Sequence, residues 1–255
     1  MWRKSLDCGT MPEGLIRSII TPIYKGGTKC EPPNYRPVAL TSHLTKVFER
    51  VLHKAILNHL IDNNLLNESQ HGFRPGRGTL SQLLKFYDSI LTMLESGGNV
   101  DSIHLDFAKA FDKVDHQMLL QKLKYHNIGG KILNWITTFL TNRVQAVRVD
   151  NQLSAFTKVK SGVPQGSVLG PLLFLIMMFD IDIDICTAMI ASFADDTKLW
   201  QLVKTDFCSD LLQLDLNTAY QWADTNNKEF NGKSLSTSLS DKMKNAVSIS
   251  LQPTT

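Results

Sequence analysis

Three aspartates carry the chemistry open to this sequence. Asp195 and Asp196 are adjacent, between the approach Ser192-Phe193-Ala194 and a second extended run over residues 199–203. Side chains alternate along a strand, so neighbouring aspartates on straight β structure point to opposite faces; at a hairpin turn both lie near one edge. Asp is also common in ordinary turns for local hydrogen-bonding reasons, so the pair by itself is weak. Asp106 ends a second stretch, with Ile103 and Leu105 on one strand face and His104 and Asp106 on the other. A carboxylate at the end of a buried strand is costly unless it is paired or holds a metal. Brought beside the 195–196 hairpin, it completes a cluster that repels itself until divalent cations enter. Two Mg²⁺ ions roughly 4 Å apart, or Mn²⁺ in their place, would activate a 3′-hydroxyl and steady a departing pyrophosphate.

The elements that must position these carboxylates follow from pattern. Residues 16–24 read as a strand ending in the turn Lys25-Gly26-Gly27, followed by the proline-rich extended residues 32–40. Lys25 and Arg36 are each flanked by turn formers, which places them on a rigid loop. Ser42 caps a helix of about five turns with apolar residues at Leu44, Val47, Phe48, Val51, Leu52, Ala55, Ile56 and Leu60, opposite Lys46, Arg50 and Lys54. Residues 70–78 form a loop with Arg74 and Arg77 on a glycine-rich backbone, able to approach phosphates or simply to sit in solvent. Thr79 then caps a second amphipathic helix through Leu80, Leu83, Leu84, Tyr87, Leu91 and Leu94, read as core and stopped by Gly97-Gly98. Helices are predicted over 115–125 and 131–140, a hairpin over 145–159 around Asp150-Asn151, and a helix opened by Gly170-Pro171. A last amphipathic helix spans 208–223, and residues 181–185 alternate Ile and Asp like a strand. His104 shares the face of Asp106 and reads as a half-solvated strand histidine rather than a ligand.

The 255 residues are 43% apolar and 20% charged, ordinary for a globular chain able to bury one large domain or two subdomains. The net charge is +3, but residues 1–85 carry 12 Lys/Arg against 6 Asp/Glu and the remainder 15 against 18. A basic first third and an acidic remainder suit phosphate binding beside metal-holding carboxylates. Cys8, Cys30, Cys186 and Cys208 form no Cys-x-x-Cys pair, which argues against a zinc knuckle or disulfide framework and for reduced intracellular thiols. The most apolar run, residues 168–179, is shorter than the ~20 residues of a membrane span. The first residues show no signal-peptide core, so the expectation is an intracellular protein without membrane attachment.

Three segments together carry a resemblance. Residues 105–112 (Leu-Asp-Phe-Ala-Lys-Ala-Phe-Asp), 161–171 (Ser-Gly-Val-Pro-Gln-Gly-Ser-Val-Leu-Gly-Pro) and 193–196 (Phe-Ala-Asp-Asp) resemble, in order, the three palm motifs of reverse transcriptases of non-LTR retrotransposons, the jockey-like and LINE-like group. The resemblance covers about residues 12–232. It implies an α+β fold, the fingers and palm of a right-hand polymerase with an antiparallel palm sheet backed by helices, fingers mainly over 12–100 and palm mainly over 101–232. It implies RNA-directed DNA polymerisation: Asp106 and Asp195 hold two Mg²⁺ with Asp196 supporting them, on an RNA template, a DNA primer and deoxynucleoside triphosphates. By the same resemblance Lys25 and Arg36 contact the triphosphate, where a cation screens charge and arginine binds bidentately. Phe111 lies under the incoming sugar and excludes a 2′-hydroxyl, Gln165 and Gly166 cradle the nucleotide, and Arg74, Arg77, Gly162 and Pro164 line the nucleic-acid path. Without the resemblance each has a plainer reading: solvated charge, core aromatic or loop hydrogen bond.

Two departures stand out. The family continues its second motif with an aromatic and then Asn-Asp, whereas this chain has Met177-Met178-Phe179-Asp180; the 181–185 stretch has no assigned role. Residues 229–233 resemble the start of a fourth palm motif, after which the resemblance stops. Residues 233–255 form a divergent tail, with nine Ser/Thr among the last 22 positions, expected to be poorly ordered. The expectation is therefore a copy truncated before the thumb, with a noncatalytic nucleic-acid-binding remnant as the alternative. A viral RNA-dependent RNA polymerase is a third reading, opposed by Phe193-Ala194 and by Phe111.

Overall fold

The protein was analysed as a computed structural model, which describes residues 1–231 and the strand residues 236–238. In chain order the elements begin with α1 (Trp2–Cys8), β1 (Arg17–Tyr24), β2 (Tyr35–Leu40), α2 (His43–Asp62), α3 (Thr79–Glu95) and β3 (Asn99–Leu105). Next come α4 (His116–Tyr125), α5 (Gly130–Thr141), β4 (Val144–Val149), β5 (Gln152–Leu153) and β6 (Thr157–Lys158). The chain continues with α6 (Leu169–Met177), β7 (Met189–Phe193), β8 (Asp196–Val203), α7 (Asp206–Thr225) and β9 (Ser236–Ser238). This is the expected α+β class. The chain folds as two compact units interleaved in sequence, residues 1–65 with 111–177 and residues 66–110 with 178–255. They are a different division from fingers over 12–100 and palm over 101–232. The tail, 233–255, lies outside the described residues apart from the three residues of β9.

The first unit has a sheet in the order β2-β1-β4-β5, with β6 also on β4. β1 and β2 are antiparallel and β1 and β4 parallel, so Arg36 sits on a strand opposite Ile23 and not on a loop. Tyr24 and Tyr35 end the β1–β2 pairing, and Lys25 N–H donates to the Asn34 carbonyl to close the loop between them. On α2 the residues one turn apart, Phe48, Leu52, Ile56 and Leu60, are buried, whereas Leu44, Val47 and Val51 face outward. α6 lacks a polar face and is buried on all sides, as its composition requires. Its open N-terminal end is met by Glu49 of α2, whose Oε2 accepts from Val168 N at 2.7 Å and Leu169 N at 2.9 Å. Burial raises the Glu49 pKa; those two donors and the charges of Lys46 and Arg143 oppose the rise.

The second unit is a three-layer arrangement around the antiparallel sheet β7-β8-β3-β9. Strand alternation divides its faces. Ile103, Leu105 and Leu199 pack with Leu212, Leu216 and Ala219 of α7, while Ala191 and Trp200 pack with Phe86 of α3. α3 departs from expectation in two ways. Its N-cap is Gly78, whose N–H donates to Ser81 Oγ at 2.9 Å, with Thr79 the first helical residue. The stripe Leu80, Leu84, Tyr87, Leu91 and Leu94 is exposed; the buried side is Gln82 and Phe86. The helix carries apolar residues on two faces, and only one meets the sheet.

Residues 181–185 are not a strand but a run of tight turns, closed by Ile181 N to Met178 O, Ile183 N to Asp180 O and Ile185 N to Asp182 O. Their acids serve as acceptors: Asp180 for Trp222 Nε1 at 2.8 Å and Asp182 for Asn67 Nδ2. The following approach to β7 is anchored by Asp215 of α7. Its carboxylate accepts the backbone N–H groups of Cys186, Thr187 and Ala188 and the Thr187 hydroxyl. Burial alone would raise the Asp215 pKa, but these donors outweigh it and hold the pKa below the ordinary 3.8. A depressed folded pKa means stability present above pH 3.8 and lost as pH falls through the folded value. Asp215→Ala should cost about 2 kcal/mol at pH 7, because three part-buried backbone N–H groups and the Thr187 hydroxyl lose a charged acceptor. Urea melts between pH 7 and pH 3 should show that penalty shrinking toward the acid end.

Candidate active site

The register of the second unit brings two of the three predicted carboxylates together. β3 and β8 pair antiparallel with His104 opposite Lys198 and Leu105 opposite Thr197. The next step of that register sets Asp106 beside Asp196, on the sheet side shared by His104 and Lys198. The Asp196 pKa is raised by burial first and by the Asp106 carboxylate second; Lys198 and His104 pull it the other way. Like charges on neighbouring strands destabilise one another. Lys198 is held over the Phe86 ring, 4.8 Å from its centroid, which keeps a cation beside the pair. The half-buried His104 has its pKa lowered by burial and by Lys198, so it favours the neutral form.

Asp195 occupies the hairpin tip. β7 and β8 close with Phe193 opposite Asp196, leaving Ala194 and Asp195 as a two-residue turn. Ala194 has φ +56°, in the left-handed region that L-residues seldom enter. Residues 69–72 run against this hairpin: Ser192 N donates to Ser69 O at 2.8 Å and His71 N to Ser192 O at 2.7 Å. The loop that follows is braced internally. Arg74 donates to the carbonyls of Asn67 and Gln70, Arg77 donates to the Glu68 carbonyl, and both pair with the Glu68 carboxylate. The two arginines thus hold the loop's own backbone. Asp106 is fixed from another side, its carbonyl accepting from Asn231 N at 2.7 Å and its Oδ2 from Asn231 Nδ2 at 3.1 Å.

Among the described residues no group of three or more His, Cys, Asp or Glu side chains closes a metal site by itself. The donor chemistry at the sheet edge nonetheless fits a hard divalent cation. Mg²⁺ is commonly held by one or two carboxylates plus substrate phosphates, and the Asp106–Asp196 pair is a repulsion that a cation would relieve.

The remaining predicted residues lie in the first unit. Lys25 and Arg36 are exposed. Phe111 stacks on Phe174 of α6 with centroids 4.3 Å apart. The loop 162–167 is stitched to the segment after Phe111: Gly162 N donates to Val114 O, Val163 N to Phe111 O, and Gln165 Nε2 to Asp112 Oδ1 at 2.9 Å. A Cβ on Gly162 would come within 2.7 Å of the Asp112 carbonyl, and one on Gly166 within 2.8 Å of the Ala39 carbonyl. Both glycines have positive φ, +88° and +105°, so this loop needs them on two counts. Pro164 is buried, and its carbonyl accepts from Ser167 at the entry to α6. Three residues at or near the carboxylates were not singled out from sequence: Gln70, Asn231 and Lys198. The signals there were the arginines after Gln70, the aspartates before Lys198, and, for Asn231, the resemblance of residues 229–233 to the start of a fourth palm motif.

Comparison with known proteins bears on the fold and the family of the chain. The solved telomerase of Candida albicans, in complex with a fragment of telomeric RNA, is similar at TM-score 0.68 over 94% of this chain and 45% of that one. At 12% identity that likeness shows the fold alone. The probable RNA-directed DNA polymerase from transposon X-element of Drosophila melanogaster is 37% identical over 183 residues, 70% of this chain and 20% of the relative. The RNA-directed DNA polymerase from mobile element jockey of Drosophila melanogaster is 31% identical over 242 residues, 91% of this chain and 26% of the relative. The chain spans about a quarter of the length of these curated relatives. The family profile described as reverse transcriptase (RNA-dependent DNA polymerase) matches residues 23–234, and with that match the chain belongs to the reverse transcriptase family, in the company of non-LTR retrotransposon polymerases.

Proposed function

We propose that this domain adds deoxynucleotides to the 3′-hydroxyl of a DNA primer on an RNA template. The observation that carries the reading is the shared edge of β3 and the β7–β8 hairpin, where Asp106 and Asp196 repel each other next to Asp195 at the tip. Asp106 and Asp195 would hold two Mg²⁺, with Asp196 supporting them; Mn²⁺ is the alternative ion. When bound, the ions supply Lewis acidity that lowers the pKa of the primer hydroxyl and neutralises charge on the leaving pyrophosphate. The protein's own part is to position and to select. Asn231 keeps one Asp106 oxygen aimed by its amide donor. Lys25 and Arg36, both exposed, bind the triphosphate; Gln165 and Gly166 shape the nucleotide site from a loop whose two glycines let it lie close against the Asp112 and Ala39 carbonyls. Phe111, fixed by its stack on Phe174, presents a ring where a 2′-hydroxyl would otherwise fit. Arg74, Arg77, Gly162 and Pro164 follow the nucleic-acid backbone, so binding of a primer–template should weaken steeply as salt rises.

Three measurements check this reading. In Mg²⁺-dependent extension of a DNA primer on an RNA template at low salt, the wild type should incorporate deoxynucleotides. Asp106→Asn and Asp195→Asn should fall to background while still binding the primer–template. Incorporation that is insensitive to either substitution would remove the catalytic assignment.

Phe111→Ala should raise ribonucleotide incorporation relative to deoxynucleotide by about 10- to 100-fold. Unchanged sugar discrimination would end the role of that ring.

Asp196→Asn removes a cross-strand repulsion that solvent screens to about 0.5 kcal/mol, and should raise the metal-free Tm by about 1–2 °C at neutral pH. Added Mg²⁺ should stabilise the wild type more than this variant, because a ligand of the folded state raises stability only where it binds.

A further inference from the structure

We propose that Gln70 is a positioning residue that sets where Asp195 and Asp196 stand, by clamping the peptide groups of the strained Ala194 turn. The inference rests on the polymerase reading for its consequences but on separate observations for its geometry. Gln70 is 6% exposed, and its amide is engaged at both ends. Oε1 accepts from Ala194 N at 2.9 Å and from Gly72 N at 2.8 Å; Nε2 donates to Ala194 O at 3.2 Å. One side chain therefore grips the N–H and the C=O of the same residue, the one whose φ of +56° determines how the hairpin turns.

No other amino acid of ordinary size offers that pair of contacts from this place. Glutamate keeps the acceptor and loses the donor; methionine, of similar length, loses both. The grip is itself anchored. Gln70 bridges Ser192 in parallel fashion, flanked by the bonds of Ser69 and His71 to Ser192. His71 Nδ1 meets Ser81 Oγ at 2.8 Å at the start of α3, and Arg74 holds the Gln70 carbonyl. Gly72 completes the fit, since a Cβ there would lie 2.4 Å from Ala194 N. The loop and the turn are in backbone contact, with no room for a side chain between them.

The chemical consequence follows from the place of the clamp. Asp195 and Asp196 are the two residues after Ala194, so a turn that relaxes toward ordinary φ carries both carboxylates away from Asp106. Carboxylates that act by position lose much of their effect over small displacements, with about 100-fold in rate from a misplacement near 1 Å. The chain holds the repelling group in place through an uncharged amide, which adds no further charge to the cluster.

The test compares wild type, Gln70→Met and Gln70→Glu in three measurements. They are hydrogen exchange at the Ala194 amide, Mn²⁺ affinity by electron paramagnetic resonance, and steady-state primer extension with Mg²⁺ titration. Gln70→Met should raise Ala194 exchange, weaken Mn²⁺ binding about 10-fold and lower kcat about 100-fold, leaving KM for the nucleotide and primer–template affinity within about twofold. Gln70→Glu, which retains the acceptor for both N–H groups, should recover part of the Ala194 protection and part of kcat. The proposal is overturned if a folded Gln70→Met variant keeps wild-type Mn²⁺ affinity. It is equally overturned if kcat falls only in proportion to the folded fraction; should Gln70→Met not fold, a wild-type Mn²⁺ affinity in Gln70→Glu despite lost Ala194 protection overturns it. A wild type that binds Mn²⁺ yet extends no primer defeats the polymerase reading and leaves the clamp to be decided by exchange and Mn²⁺ affinity. A wild type that binds no Mn²⁺ defeats both.

Discussion

The constraint on which the second unit depends is that Asp106 and Asp196 repel each other from adjacent strands. A sheet edge carrying like charges tends to open, so the strands must be held by something stronger. Repulsion across a strand pair is worth at most about 1 kcal/mol, whereas each fully buried Leu, Ile or Trp side chain contributes about 2 kcal/mol or more. Ile103, Leu105, Leu199 and Trp200 are each at most 2% exposed and sit within a few residues of the carboxylates. Packing on both faces of the sheet therefore wins, and the charged edge stays closed around a repulsion that only a cation or a proton can relieve.

Polar groups then refine what packing permits. The second unit places buried side chains on the backbone of its functional loops, Asp215 on the approach to β7 and Gln70 on the turn after it, and sets the part-buried Asn231 on the Asp106 carboxylate. Asp215 and Gln70 accept backbone N–H groups that would otherwise be unpaired, Asn231 donates to the Asp106 carbonyl and carboxylate, and each removes freedom from a segment bearing a carboxylate or leading to one. The first unit uses the same device. Glu49 caps α6, and Gln165 ties its loop to Asp112. In the second unit the Arg74 and Arg77 guanidinium groups also brace the loop that carries Gln70.

The one-dimensional pattern was strong enough to identify most elements. Ser42 accepts from Leu44 N at the start of α2, Asp115 from Met118 N at the start of α4, and β3 alternates as its residues demand. These are local effects, decided within a turn or a pair of residues, and they survive folding unchanged. The same locality explains the failures. Ile and Asp alternate over 181–185 as they would on a strand, but successive backbone turns close the segment and Asn67 takes up the Asp182 carboxylate. α3 presents apolar residues on two faces, and composition cannot say which one meets the sheet; Phe86 and Gln82 go in while Leu80, Leu84 and Leu91 stay out.

What the amino-acid sequence determined by itself is the family: three motifs, two of them bearing the aspartates, long enough to specify it, on elements whose periods are readable. Side-chain period and motif order are properties of the chain alone, and no partner is needed to express them. Only the tertiary structure decided which carboxylates interact and what holds them. Asp106 meets Asp196 because an antiparallel register pairs residues 90 positions apart, as Leu105 opposite Thr197 shows. Gln70 reaches Ala194 across a sequence separation of 124, through a contact that requires a glycine two residues on. Hydrogen bonds of that kind depend on distances of a few ångströms set by packing, and no local pattern encodes them.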